Sequence, residues 1–187
     1  MKKIATFILC NLFGWKLHDQ FPPDLKKYII IVAPHTSWID FPLGILAKTS
    51  YGINAKYIAK HTLFKPPFGI FFKALGGTPV DRSKSTNMVE AIIDIFNKQE
   101  NFILALSPEG TRKKLDKWKT GFYFVAKGAK VPIVMTRFDY ASKSISIAQP
   151  FNTTDDIKSD FKHFHEFFKN VQGRFPEQFE PNFHENV

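Results

Sequence analysis

The chain has one cysteine, Cys10, which leaves no intrachain disulfide and no C-x-x-C metal site, so zinc is not expected. A G-x-S-x-G elbow, a P-loop and a G-x-G-x-x-G are all missing, so a serine hydrolase, a nucleotide site and a dinucleotide site lack their motifs. No uncharged apolar run reaches the roughly 20 residues of a spanning helix. Ile4–Trp15, after Lys2 and Lys3, is only twelve residues long. No small-residue cleavage site follows it, and Leu9 before Cys10 does not suit a lipoprotein signal, so a signal peptide is not expected.

Acidic residues are the minority, 17 against 26 Lys and Arg, for a net charge of +9. Such a field attracts nucleic acid, anionic lipid headgroups or phosphorylated ligands without choosing among them. Phenylalanine is abundant: 21 of 187 residues, within an aromatic content of 16%. That excess exceeds the needs of one core and points to apolar contacts at a membrane or partner. A hydrophobic content of 44% excludes general disorder. The length favours one domain, residues 1–187, with a sizeable core. Residues 1–15 read either as an interfacial membrane helix or as a first helix packed on that core.

Strand-like runs fall at Tyr28–Ala33, Ala55–Ala59, Phe102–Leu106, Val131–Thr136 and Ser144–Ala148. Helical patterns lie between them. Ile39–Lys48 tolerates Pro42 only in its first turn. Met88, Ile92 and Phe96 form a second pattern, with Asn87 and Glu90 placed as a variant capping box. Gly121–Ala129 follows Thr120 as an N-cap. Ile157, Phe161, Phe164, Phe168 and Val171 form an apolar stripe read as core, ended by Gly173 and Pro176. The alternation predicts an α/β fold with a largely parallel or mixed central sheet flanked by helices. His163 and His165, beside the stripe, are expected to face solvent. The segment His61–Gly77 breaks the pattern at Pro66-Pro67, and Lys65 and Lys73 frame Phe68, Ile70, Phe71 and Phe72. It reads as a face for membrane or acyl chain, against a buried helix.

Chemistry concentrates where the first long strand ends. His35 and Asp40 are five apart, so on one continuous helix they would point about 140° apart. They meet only if His35 lies in the strand-to-helix turn and Asp40 in the first helical turn, with Thr36 or Ser37 as N-cap. An Asp on one imidazole nitrogen sets the tautomer and leaves the other to take a proton, a general-base dyad with no side-chain nucleophile. The alternative is that Asp40 only favours the helix N-terminus.

Three later blocks accompany this H-x-x-x-x-D: "GGTPVDR" ending at Arg82, "SPEGTRKK" holding Glu109–Arg112, and "VPIV" at Val131–Val134. In kind, order and separation the four blocks, spanning roughly 28–140, resemble the lysophospholipid acyltransferase family, whose bacterial members make phosphatidic acid from lysophosphatidic acid. The resemblance implies a glycerolphosphate acyltransferase-like fold, His35 as catalytic base and Asp40 as its orienter. It implies an acceptor site built by Lys60, Arg82, Glu109, Gly110, Thr111 and Arg112, and an acyl-chain side shaped by Val131-Pro132. It further implies an acyl-CoA or acyl-ACP donor, a lysolipid acceptor, no bound cofactor or metal, and a peripheral place on the cytoplasmic face of an anionic membrane. Nucleic acid is not expected. Pro34 where many members have Asn, the altered lead-in to Arg82, and Met135 in place of a frequent proline leave the acceptor open. A phosphate-free or amino-acid-linked lysolipid is the alternative, and a non-catalytic basic binding protein a remote one.

Overall fold

The computed structural model describes residues 1–80 and 85–180. Among the described residues seven strands form one sheet: β1 (Lys16–Leu17), β2 (Lys27–Ala33), β3 (Ala55–Lys60), β4 (Gly77–Val80), β5 (Phe102–Leu106), β6 (Ile133–Asp139) and β7 (Ser144–Ile147). Their order is β1-β7-β6-β2-β5-β3-β4, and the β6–β7 pair alone is antiparallel. The expected α/β architecture with a largely parallel, mixed sheet is therefore present. All five strand-like runs became strands, within two or three residues at their ends. The two-residue β1 and the edge strand β4 were not anticipated; Pro79 fits in β4 because that strand pairs on one side only.

β2 is the central strand, and its apolar run serves both faces. Ile29, Ile31 and Ala33 join Leu104, Ile133 and Met135 on one face, under helices α4 (Ser85–Lys98), α5 (Gly121–Ala129) and α6 (Ile157–Phe168). Phe161, Phe164 and Phe168 of α6 are fully buried there, as the stripe predicted. Tyr28 and Ile30 face the other layer with Val134, Phe138 and Ile145. That layer is closed by α1 (Lys2–Thr6), the wide π-type turn Phe7–Leu12, and α2 (Asp40–Tyr51). Strands covered on both faces are the usual state of parallel sheets, which is why they read as continuous apolar runs.

Two helix starts differ from expectation, while α5 spans Gly121–Ala129 as expected with Thr120 at its N-cap position, though the hydroxyl makes no cap bond. α4 begins at Ser85, so Asn87 lies inside the helix. α2 has Ile39, not Thr36 or Ser37, at its N-cap position. The cap on α6, by contrast, is made by a side chain, with Asp156 accepting from the Lys158 and Ser159 N–H groups at 3.1 Å.

The N-terminal segment packs on the core with part of its apolar side chains only. Leu9 and Trp15 are buried in the core, while Ile4, Phe7, Leu12 and Phe13 are exposed. The segment 61–77 forms a 3₁₀ turn, a bend at Pro66-Pro67 and the short helix α3 (Gly69–Ala74). Phe68, Ile70 and Phe71 are exposed, Ile70 at 83%, so this block is not a buried helix. Lys48 of α2 ties the segment down, its ammonium donating to the carbonyls of Leu75 (2.6 Å) and Ala55 (3.0 Å). Burial, with the neighbouring Lys56 charge, lowers the Lys48 pKa.

The connections explain where a site should form. From β2 the chain leaves through α2 toward β3; from β5 it leaves through α5 on the opposite face toward β6. The crevice at the carboxyl ends of β2 and β5 is thus a switch point, the place where open α/β sheets bind ligands.

Candidate active site

Directly beyond Ala33 the chain turns through Pro34–Ile39 into α2, and this turn carries the H-x-x-x-x-D block. His35 and Asp40 do meet, His35 Nδ1 lying 3.2 Å from Asp40 Oδ2. The Asp40 side chain is nearly buried, that of His35 30% exposed. With Nδ1 committed to the carboxylate, Nε2 is the nitrogen left for proton transfer.

The turn is held by its own polar groups. Asp40 Oδ2 also accepts the Ser37 N–H at 2.8 Å, and the Ser37 hydroxyl accepts the Ile39 N–H at 3.2 Å. These bonds satisfy backbone donors just ahead of the helix, so Asp40 favours the helix start as well as meeting His35. Thr36, buried, accepts the Phe175 N–H at 3.1 Å. Gly173 packs so closely here that a methyl group on it would lie 2.7 Å from the Thr36 hydroxyl and 3.1 Å from Pro34 Cβ.

The E-G-T-R block follows β5 and abuts this turn. Glu109 is buried, and its Oε1 accepts the His35 N–H at 2.7 Å. Burial pushes its pKa up to about 8; the Asp40 charge adds to the rise, and the His35 N–H opposes it. Gly110 has a φ of +65° and lies under the Lys119 side chain, a turn that suits glycine. Thr111 and the exposed Arg112 follow at the rim. Gln178 sets its amide against the carbonyls of Thr36 and Arg112, acceptors that only its nitrogen can satisfy, and so bridges the two blocks. Lys60 is the last residue of β3, and Arg82 lies outside the described residues.

A cavity of about 750 Å³ opens at these groups. His35, Asp40, Gly110, Thr111, Arg112 and Lys119 line one part of it. The rest is mostly apolar, with Phe41, Gly44, Tyr57, Phe72, Phe122 and Phe138 among its walls. The Phe41 ring packs edge-on to Tyr57 at 5.0 Å and tilted against Phe72 at 6.2 Å, so the segment 61–77 contributes a wall. Val131 and Pro132 precede β6 and do not line this cavity; Val125, Thr136 and Phe138 do. Polar groups beside a mostly apolar lining fit an amphiphilic ligand.

Sequence reading missed Tyr140, whose hydroxyl donates to Asp40 Oδ1 at 2.5 Å. It missed Gly173 and Gln178 as well. All three come from beyond β6 and carry no local motif.

Homology defines the class of the protein, an acyltransferase. The family model described as Acyltransferase matches residues 16–138 of the 187, and the chain belongs to that family. No curated protein matches it in sequence. Among solved structures it is similar to the crystal structure of the 1-acyl-sn-glycerophosphate (LPA) acyltransferase PlsC from Thermotoga maritima. The TM-score is 0.62 and the identity 18%, over 90% of this chain and 75% of that one. At this identity the likeness is one of fold.

Proposed function

We propose that this acyltransferase moves a fatty acyl group from a thioester donor, acyl-CoA or acyl-ACP, to the free hydroxyl of a lysophospholipid, with lysophosphatidic acid as its acceptor. The observation that carries this reading is the His35–Asp40 contact in the lining of a mostly apolar cavity that Arg112 also lines. His35 Nε2 takes the proton of the acceptor hydroxyl as its oxygen attacks the thioester carbonyl. The tetrahedral oxyanion collapses, the carbon–sulfur bond breaks, and the imidazolium returns its proton to the departing thiolate. No acyl-enzyme forms and no metal or cofactor takes part. Arginine suits the acceptor phosphate because its fork presents two parallel donors; Arg112 fills that role, with Arg82 and Lys60 as partners. The structural neighbour named above acts on a lysophosphatidic acid, which favours the phosphate-bearing acceptor over a phosphate-free one.

The same reading places the enzyme on a membrane. Among the described residues no helix is long and apolar enough to cross a bilayer. Two exposed apolar patches flanked by lysines, at 4–13 and 68–71, support peripheral binding to the cytoplasmic face of an anionic membrane. Each surface Lys or Arg near the lipid contributes roughly 1 kcal/mol. The test is co-sedimentation with vesicles. Binding should need anionic lipid, fall as salt rises and weaken on deletion of residues 1–15; indifference to all three would refute the membrane role.

A further inference from the structure

We infer that Tyr140 is a positioning residue for the base, acting through Asp40; this rests on the reading of His35 as the proton acceptor. The Asp40 carboxylate is buried, and its oxygens divide their partners. Oδ2 takes His35 Nδ1 and the Ser37 N–H, and Oδ1 takes the Tyr140 hydroxyl at 2.5 Å. A buried carboxylate oxygen without a donor is costly, so loss of the hydroxyl leaves Asp40 free to turn about its Cβ–Cγ bond and surrender the His35 contact.

Tyr140 is itself held firmly. Its N–H donates to the Gln172 carbonyl at 2.9 Å, and the Trp15 ring packs edge-on against its own ring at 5.1 Å. Burial and the Asp40 charge raise the phenol pKa, with Arg174 opposing, so the hydroxyl remains a donor across the working range of pH. The buried end of the N-terminal segment therefore braces the ring that braces the dyad.

The other titratable or charged groups near this network are the Glu109 carboxyl on the His35 N–H, Arg174 beside Tyr140, and Arg112 at the cavity rim. Asp139, next in the chain, spends its carboxylate on Ala141, Ser142 and Gln172.

The test compares Tyr140→Phe and Tyr140→Leu in the full chain by steady-state kinetics and by the ¹⁵N spectrum of labelled histidine, His35 being assigned by its loss in His35→Gln. With Tyr140→Phe, kcat should fall about tenfold with little change in KM, and the His35 ring nitrogens should lose the signature of an Nδ1–H held by a carboxylate, the two tautomers mixing as the contact loosens. Tyr140→Leu should do no worse than about threefold beyond that. A Tyr140→Phe protein with the parent's kcat and ¹⁵N spectrum would overturn the inference. So would a fall in kcat with an unmoved spectrum, which would mean only packing had been lost. If Tyr140→Phe does not fold, replacing tyrosine by 3-fluorotyrosine keeps the hydroxyl and makes it a stronger donor. The His35 ¹⁵N shifts should then move, and unmoved shifts would overturn the inference equally. Because the spectrum needs no substrate, it stands or falls separately from the choice of acceptor.

Discussion

Glu109→Gln should change the pH dependence of stability more than stability at any one pH. In the folded protein the buried Glu109 carboxyl keeps its proton to about pH 8, against an ordinary value of 4.5. Between these values the folded state holds a proton that the unfolded chain has released, so raising the pH favours unfolding. The stability associated with this group is intact below pH 4.5 and is lost as pH rises toward 8. At about 1.4 kcal/mol per pH unit, the whole window amounts to about 5 kcal/mol, and the interval from pH 5 to pH 7 to about 3 kcal/mol. Glutamine keeps an oxygen for the His35 N–H and has no proton to lose. Any cost of its unpaired amide nitrogen is the same at every pH. Urea unfolding of both proteins at pH 5, 6, 7 and 8 reads the difference directly, since other titrating groups are shared and cancel. The stability of Glu109→Gln relative to the parent should climb steadily across the series. A difference constant to within about 0.5 kcal/mol would show that Glu109 is ionised in the fold, and the account of its burial would fail.

Gly173→Ala should lower both melting temperature and kcat, because its methyl group would push on Thr36 and Pro34 at the start of the base-bearing turn; unchanged kinetics would show that the turn yields freely. Arg112→Ala and Arg82→Ala should each weaken a phosphate-bearing acceptor by about 1.5–3 kcal/mol in kcat/KM, the scale of a charged hydrogen bond. A phosphate-free acceptor should be less affected, and equal losses on both would assign these arginines a structural role. Asp40→Asn should reduce kcat nearly as far as loss of His35, since the amide spoils tautomer and orientation; an active Asp40→Asn enzyme would remove the dyad from the mechanism.

The large features of the fold could be read from the chain because burial leaves a periodic trace. Tyr28–Val32 is apolar without interruption because β2 is covered on both faces, and the α6 stripe repeats as a helix with one buried side must. β1 has two residues and β4 carries Gly77 and Pro79, so neither shows a strand pattern. Helix starts were misread where the candidate caps lie inside the helix or ahead of its N-cap position, as at Asn87, Thr36 and Ser37. Within the site, the His35–Asp40 contact was foreseeable because strand, turn and helix follow one another locally. The Asp40–Tyr140 bond spans a hundred positions, and only the packing of the turn after β6 against α2 creates it. Likewise, residue order placed Glu109 near the site, but only the fold aims its carboxyl at the His35 backbone. Arg82 lies outside the described residues, so its part in the acceptor site rests on the kinetics above.

The central claim is that His35 is the base of an acyl transfer to a lysolipid hydroxyl. Its most direct test is mass spectrometry of product formed by the purified protein and by His35→Ala, with acyl-CoA and acyl-ACP each offered alongside lysophosphatidic acid. The parent should form phosphatidic acid from at least one donor, and His35→Ala should turn over about 10²–10⁴-fold more slowly while remaining folded. Phosphatidic acid formed at the parent's rate by His35→Ala, or none formed by the parent from either donor, would contradict the account.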